Sequence, residues 1–470
     1  MTADLTGVPH LAPTHSNIIS TDTPLEEHAI ATRVNGFGLV SDAGYLARCQ
    51  VDTPLNIVAV VWGIVARYRA KVGKVFDAGA GDGRFSVGGS YDQYVGYELD
   101  SRRIPVASLP GNATILRSDA FAHAGPFDFD LAIGNPPYVR HHDLGDEWRD
   151  HISAWIKSRT GVRPSGWSNA YLYFFWLALI ATVDDGLVVY LVPFDWVSRP
   201  AAKSLRKYIA DRGWKLDIYR FDKEPFESVL TTACVVVVDK RQRADKASYF
   251  RIDRDNGIST LQSPTLSEHQ PLAYKNCIDT AYARRGLSPG DQTVFLLTED
   301  ERIQNQLIVG RDVVRAVSTF RWTSCNQIKL TDAFFEKNFV HAGVRCWLIN
   351  SSSVPSAVLT AYLEKYGHLC QDNSTCRSRN EWWKFTMPEV PRILYSSGFR
   401  GRGPKAMINQ VGAIAVGAVC GIYASSETTA RTIFDHIQAF DFSTQVVAMS
   451  KGFTKVEVNQ MNGVVQSLFE

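Results

Sequence analysis

The stretch FDAGAGDGRFS, residues 76–86, overlaps a short β-rich run, KVFDAG (74–79), and decides how the first half of the chain is read. Gly79, Gly81 and Gly83 let the backbone turn tightly and approach a ligand closely, as in loops that join a strand to a helix in nucleotide-binding sheets. No Lys-Ser or Lys-Thr follows, which argues against a triphosphate loop. Asp77 precedes the first glycine, where an acid repels phosphate but suits the ammonium group of an amino-acid-like ligand. Glu98 closes the next run, YVGYEL (94–99), and an acid there can accept from both hydroxyls of a ribose. Asp119 closes TILRSD (114–119) and can accept from an adenine amino group, with Phe121 near the ring. Loop and strand-end acids together point to an adenosyl ligand.

Working outward, β-rich runs alternate with helical stretches from about 50 to 240, the pattern of a mostly parallel sheet flanked by helices. A helix is expected directly after the glycine loop. Further strands are read in FDLAIG (129–134), LVVYLVP (187–193), LDIYRF (216–221) and ACVVVV (233–238), making seven in all, and the fully apolar ones suit a sheet covered on both faces. AAKSLRKYIADRG (201–213) reads as an amphipathic helix stopped by Gly213.

Within this frame DFDLAIGNPPYVR (128–140) places Asn135 just past the fourth strand, at the edge that faces the ligand crevice of an open α/β sheet. Pro136 and Pro137 stiffen the turn and remove two N–H donors, leaving the Asn135 side-chain oxygen and the Pro136 carbonyl as acceptors. Two acceptors suit a planar –NH₂ group. Accepting both of its hydrogens draws the nitrogen toward tetrahedral geometry and localises a lone pair that can attack a methyl sulfonium. Tyr138 offers a face for a planar substrate.

These residues resemble the amino-group methyltransferases that use S-adenosyl-L-methionine, and the motif order is similar to the gamma class of DNA adenine-N6 methyltransferases of restriction-modification systems. The resemblance covers about residues 45–240. It implies a seven-stranded, mostly parallel, Rossmann-like class I methyltransferase domain over 46–243 and a C-terminal α+β target-recognition domain over 249–470. Thr53 and Pro54, in VDTPLNIVAVVWGIV (51–65), correspond to the family's early Thr-Pro motif, whose helix start helps hold the methionine carboxylate. Phe226, in DKEPFESVLTTACVVVV (222–238), corresponds to an aromatic that stacks on a flipped base opposite Tyr138. The implied reaction is methyl transfer from S-adenosyl-L-methionine to adenine N6 in double-stranded DNA by base flipping, with cytosine N4 open as an acceptor. The resemblance also allows a cognate restriction endonuclease as partner. A protein glutamine amide or an RNA base remains the alternative substrate, since both serve the same turn. The chain departs from the family in small ways. Asp77 stands where some members carry Glu, one residue separates Asp119 from Phe121, and residues 1–45 form an extension with no family role.

Composition sets the outer limits. The chain has 470 residues, 45% of them apolar, and a net charge of +2, which excludes a strongly basic tail but not a local basic cleft. Eight cysteines show no Cys-x-x-Cys pair, so no metal site is expected and reduced cytoplasmic thiols are. His141-His142-Asp143 lacks partners at ligand spacing and reads as a loop beside the catalytic turn. The N-terminus shows no signal-peptide pattern, and AYLYFFWLALIATV (170–183) is too short for a membrane span and reads as a buried helix. A cytoplasmic monomer without membrane contact is expected. The charged run DKRQRADKAS (239–248) marks the boundary to the second part. There, CRSRNEWWKFTMPEVPRILYSSGFRGRGPK (376–405) gathers Arg377, Arg379, Lys384, Arg400, Arg402 and Lys405 as candidates for DNA contact, with Trp382 and Trp383 read as core.

Overall fold

The computed structural model describes residues 51–470 except 105–108, 124–125, 223–224, 227–231, 262–271, 277–279, 322, 324–326, 353, 372, 447, 451–452 and 470. The N-terminal extension therefore lies outside the described residues. The chain divides into two compact units, Met1–Gln262 and Ser263–Glu470.

The first unit is built on one sheet. Its strands are β1 (Val72–Asp77), β2 (Tyr91–Tyr97), β3 (Ala113–Leu116), β4 (Phe129–Gly134), β5 (Thr182–Pro193), β6 (Trp214–Phe221), β7 (Ala233–Arg243), β8 (Ser248–Ile252) and β9 (Ile258–Leu261). Their order is β3-β2-β1-β4-β5-β7-β6-β8-β9. All seven strands read from the sequence are present, and two more extend the sheet past β6. Strands β3, β2, β1, β4 and β5 run parallel, whereas β7 lies antiparallel between β5 and β6. The strand order reverses between β1 and β4, so the loops leaving these two strands open side by side into the crevice where such sheets bind ligands.

Helix α1 (Leu55–Tyr68) buries Ile57, Val58, Val61, Trp62, Ile64 and Val65, the recurring i, i+1, i+4, i+7 stripe of an amphipathic helix, in one core with the alternate residues of β1, β4, β5 and β7. Helix α2 (Asp146–Thr160) and helix α3 (Ala170–Ala181) cover the other side. Helix α3 is apolar all round and buried all round. Its Leu179 carbonyl, and those of Thr182 and Val183 where β5 begins, accept from the buried Lys240 ammonium on β7 at 2.8, 2.7 and 3.2 Å. Among the described residues no helix is long and apolar enough to cross a membrane. Helix α4 (Lys203–Asp211) ends before Gly213, which takes a left-handed φ of 64°.

The helix expected after the glycine loop is absent: a single 3-10 turn, Arg84–Ser86, stands there. Gly83 (φ 77°) and Gly88 (φ 89°) bracket it, leaving no room for an α-helix before β2. Helix α1 fills the space instead. The Trp62 indole donates to the Phe85 carbonyl at 2.9 Å, and its ring lies where a Cβ on Gly89 would come within 2.4 Å.

The second unit mixes short strands and helices. One five-stranded sheet runs in the order Ala281–Arg284, Val419–Ala424, Ile393–Ser396, Ala406–Asn409, Lys329–Leu330, and helices Glu427–Ala439 and Val458–Gln466 share a core with it. A four-stranded sheet (Leu296–Leu297, Trp347–Ile349, Val313–Val317, Ile414–Ala415) shares a second core with helix Ala357–Tyr366.

Candidate active site

The glycine loop leaves β1 at Asp77, which is fully buried. Its carboxyl accepts from the Tyr94 hydroxyl at 2.6 Å and from the Gly79 amide at 3.3 Å. Burial outweighs these bonds and pushes its pKa up to about 7, with Glu98 adding a smaller push. A cationic group brought beside this carboxyl would restore the charged form. Gly134, at the end of β4, makes the close approach possible: its φ is 147°, and a Cβ there would sit 2.6 Å from Asp77 Oδ1.

Glu98, just past β2, accepts from the Gly81 amide at 2.9 Å through Oε2 and from the Asp100 amide at 2.8 Å through Oε1. Asp119, past β3, caps a short turn by accepting from the Phe121 amide at 3.0 Å. Phe121 is buried edge-on among Trp148, Trp155 and Phe174, with centroids 5.8, 6.0 and 5.1 Å away. Asp77, Glu98 and Asp119 thus stand at the carboxyl ends of three adjacent strands.

The catalytic-turn candidates lie past β4. Asn135 donates from Nδ2 to the Thr53 hydroxyl at 3.1 Å and to the Val51 carbonyl at 3.5 Å. Its Oδ1 is buried and has no hydrogen-bond partner among the described residues. Pro136 is buried, and Pro137 packs 3.6 Å from where a Cβ on Gly79 would stand, so the two loops touch. The half-buried Tyr138 donates from its hydroxyl to the Leu191 carbonyl at 3.1 Å, which fixes its ring edge-on to Tyr171. Phe226 is buried in the core that also holds Tyr219, Phe221 and Ala233.

The reading of the sequence missed the residues that tie these parts together. Arg84, inside the glycine loop, donates from Nη1 to the Thr53 carbonyl and from Nε to Asp82 at 2.7 Å, and it pairs with Asp52 at 3.3 Å. Its guanidinium holds the Asp82 carboxyl below the usual carboxylate range. Arg103 also pairs with Asp52. Asp82 and Arg84 flanking Gly83 were the available signal, but nothing in the linear order shows a guanidinium reaching a segment thirty residues upstream.

Comparison with known proteins matches residues 110–226 to the Eco57I restriction-modification methylase family and residues 264–446 to the C-terminal domain of Type II methyltransferase M.Eco57I. Both stretches are thus similar to restriction-modification methylases. Among curated relatives, Type II methyltransferase M.XamI of Xanthomonas campestris pv. amaranthicola is 28% identical over 237 residues, which is 46% of this chain and 43% of that protein. Type II methyltransferase M.TthHB8I of Thermus thermophilus is 26% identical over 178 residues, 36% of this chain and 40% of that one. The matched stretches thus span under half the length of these relatives. The fold is similar to that of the Type IIL restriction-modification enzyme MmeI solved in complex with DNA, with a TM-score of 0.52 at 12% identity over 86% of this chain and 64% of that one.

The basic candidates of the second unit divide into two groups. Arg379 donates to the carbonyls of Pro289 at 2.6 Å, Trp382 at 3.4 Å and Ser288 at 3.4 Å, and lies over the rings of Phe385 and Phe295. Lys405 donates to the carbonyls of Phe320 and Thr323. Lys384 pairs with Glu381 at 2.7 Å and Arg402 with Asp441 at 3.5 Å, both at the surface. Arg377 and Arg400 are exposed. Trp382 and Trp383 pack against the core.

Proposed function

We propose that this chain transfers a methyl group from S-adenosyl-L-methionine to the N6 amino group of adenine in double-stranded DNA, within a restriction-modification setting. The observation that carries the reading is Asn135 Oδ1. An unsatisfied buried acceptor costs about 1–3 kcal/mol, so it persists where a substrate donor completes it. Its neighbour in the turn, the Pro136 carbonyl, supplies the second acceptor for a planar amine.

The residues present fit the cofactor. Asp77 suits the ammonium, Glu98 the ribose hydroxyls, Asp119 the adenine amine, and the main-chain amides in the first turn of α1, just after Thr53 and Pro54, the carboxylate. The cofactor supplies an electrophilic methyl group. Asn135 and Pro136 orient the substrate nitrogen and draw its hydrogens, so that its lone pair faces the methyl. Tyr138 offers aromatic surface to a base turned out of the duplex, a movement that costs a few kcal/mol, whereas the buried Phe226 offers none. Arg377, Arg400 and other basic side chains of the second unit contribute phosphate contacts.

Labelled methyl donor, offered with duplex DNA, RNA and a protein extract in turn, tests the reading. The label is expected in duplex DNA, as N6-methyladenine after digestion. Asn135→Ala should lower the rate by at least about a hundredfold and leave donor binding by calorimetry within a few-fold of wild type. Label confined to RNA or protein, or a wild-type rate in Asn135→Ala, overturns it.

A further inference from the structure

An asparagine amide can present either its oxygen or its NH₂ to a given direction, and only one of the two works at this turn. The oxygen accepts from an exocyclic amine, whereas the NH₂ group would point hydrogens at hydrogens. What meets Nδ2 therefore decides whether Asn135 is useful. In this fold Nδ2 meets the hydroxyl of Thr53, itself 3% exposed, at 3.1 Å, with the Val51 carbonyl as a longer second acceptor at 3.5 Å. Both acceptors belong to the segment that enters α1.

That segment is anchored from the glycine loop. Arg84 donates to the main-chain carbonyl of Thr53 and pairs with Asp52, while Asp82 fixes the guanidinium from its other side at 2.7 Å. Arg103, which stands 3.0 Å from where a Cβ on Gly81 would be, pairs with Asp52 as well. A continuous set of contacts thus runs from the glycine loop through Arg84 and Thr53 to the amide of Asn135.

We infer that Thr53 is a positioning residue: its hydroxyl holds the Asn135 amide with Oδ1 toward the substrate amine, and Arg84 holds Thr53 in place for that task. This goes beyond the carboxylate contact that the resemblance implies for Thr53, and it rests on the function proposed above.

Thr53→Val removes the hydroxyl, and Thr53→Ser keeps it. With donor saturating, the single-turnover rate of methyl transfer in Thr53→Val should fall about tenfold or more, while Thr53→Ser stays within about threefold of wild type. The donor dissociation constant should move less than about threefold in either variant. A second readout needs neither donor nor turnover. With ¹⁵N-asparagine in the full chain, the side-chain NH₂ signals of Asn135, assigned by their loss in Asn135→Ala, should shift in Thr53→Val and return in Thr53→Ser. A Thr53→Val protein that melts like wild type but binds donor tenfold more weakly at an unchanged rate makes Thr53 a cofactor ligand and overturns the inference. So do Asn135 signals indifferent to Thr53→Val. A wild-type chain inactive on DNA, RNA and protein sinks the proposed function and this inference with it, which the wild-type control separates from a failure confined to Thr53.

Discussion

Asn135 and Arg379 stand in different units, and the fold treats their polar groups in opposite ways. Arg379 directs its guanidinium to three main-chain carbonyls and lies over two phenyl rings. Asn135 uses its NH₂ group on Thr53 and leaves a buried oxygen unmatched. A side chain that spends its donors on the fold's own carbonyls stabilises it and has less left for a ligand. One that keeps a desolvated acceptor open costs stability, and that cost marks a site. Asn135 belongs to the second kind; Arg379 and Lys405 belong to the first.

The contrast breaks most readily at Gly134. Its φ of 147° and the 2.6 Å from its would-be Cβ to Asp77 Oδ1 mean that Gly134→Ala must displace either the strand end or the buried carboxyl. The expected loss is about 2–4 kcal/mol in unfolding free energy and at least about tenfold in donor affinity. Denaturant melts and calorimetry measure the two. Native donor affinity in that variant would show that the closeness of β4 to Asp77 does not shape the site.

Arg379→Met tests the other side. It keeps the aliphatic stem and removes the hydrogen bonds, so stability should fall by roughly 2–3 kcal/mol. The dependence of DNA affinity on salt should stay as in the wild type. A shallower salt dependence at unchanged stability would reassign Arg379 to a phosphate.

What was legible in the sequence follows the same division. The alternation of apolar runs marked seven of the nine strands of the large sheet, because strands buried on both faces must be continuously apolar, as LVVYLVP and ACVVVV are. Strands β8 and β9 escaped notice. SYFRI and ISTL are short and only partly buried, so they carry no apolar signal. The glycine loop and the Asn-Pro-Pro-Tyr turn were legible because their chemistry is local: a tight bend, removed donors, an acid at a strand end. The anchoring of Thr53 by Arg84 was not, since it depends on a side chain reaching across the sheet's edge. The basic stretch 376–405 shows the converse limit. Charge is visible in a sequence, but whether a guanidinium finds carbonyls to bond is set by tertiary packing alone.

Asp77 sharpens the comparison through pH. Its carboxyl has a pKa near 7 in the folded chain against about 4 in an unfolded one. The protonated form is the one favoured by burial, so the associated stability is fully present below about pH 4 and is lost as the pH rises through 7. Donor binding runs the other way if the ammonium group needs the carboxylate: affinity should rise roughly fivefold between pH 6 and 7, with release of a proton. Calorimetry in two buffers of different ionisation enthalpy detects that proton. Asp77→Asn should bind weakly at every pH in this range and lose the pH dependence. A wild-type affinity flat from pH 6 to 7 would place the ammonium elsewhere.

The smallest effect is expected at Arg400, which is exposed and precedes Gly401 in an exposed turn. Among the described residues no ion pair or hydrogen bond uses its guanidinium, so Arg400→Ala should leave the melting temperature unchanged. If it meets a phosphate, DNA affinity falls by roughly threefold at low salt, and the slope of log affinity against log salt becomes shallower by about 0.9. The informative comparison is with Lys405, five residues on, whose ammonium is already bonded to the carbonyls of Phe320 and Thr323. Lys405→Met should do the reverse, lowering stability and leaving the salt slope alone. If both variants shift the slope equally, buried bonding to carbonyls does not withdraw a cation from DNA, and the distinction between the two kinds of polar residue fails in the second unit.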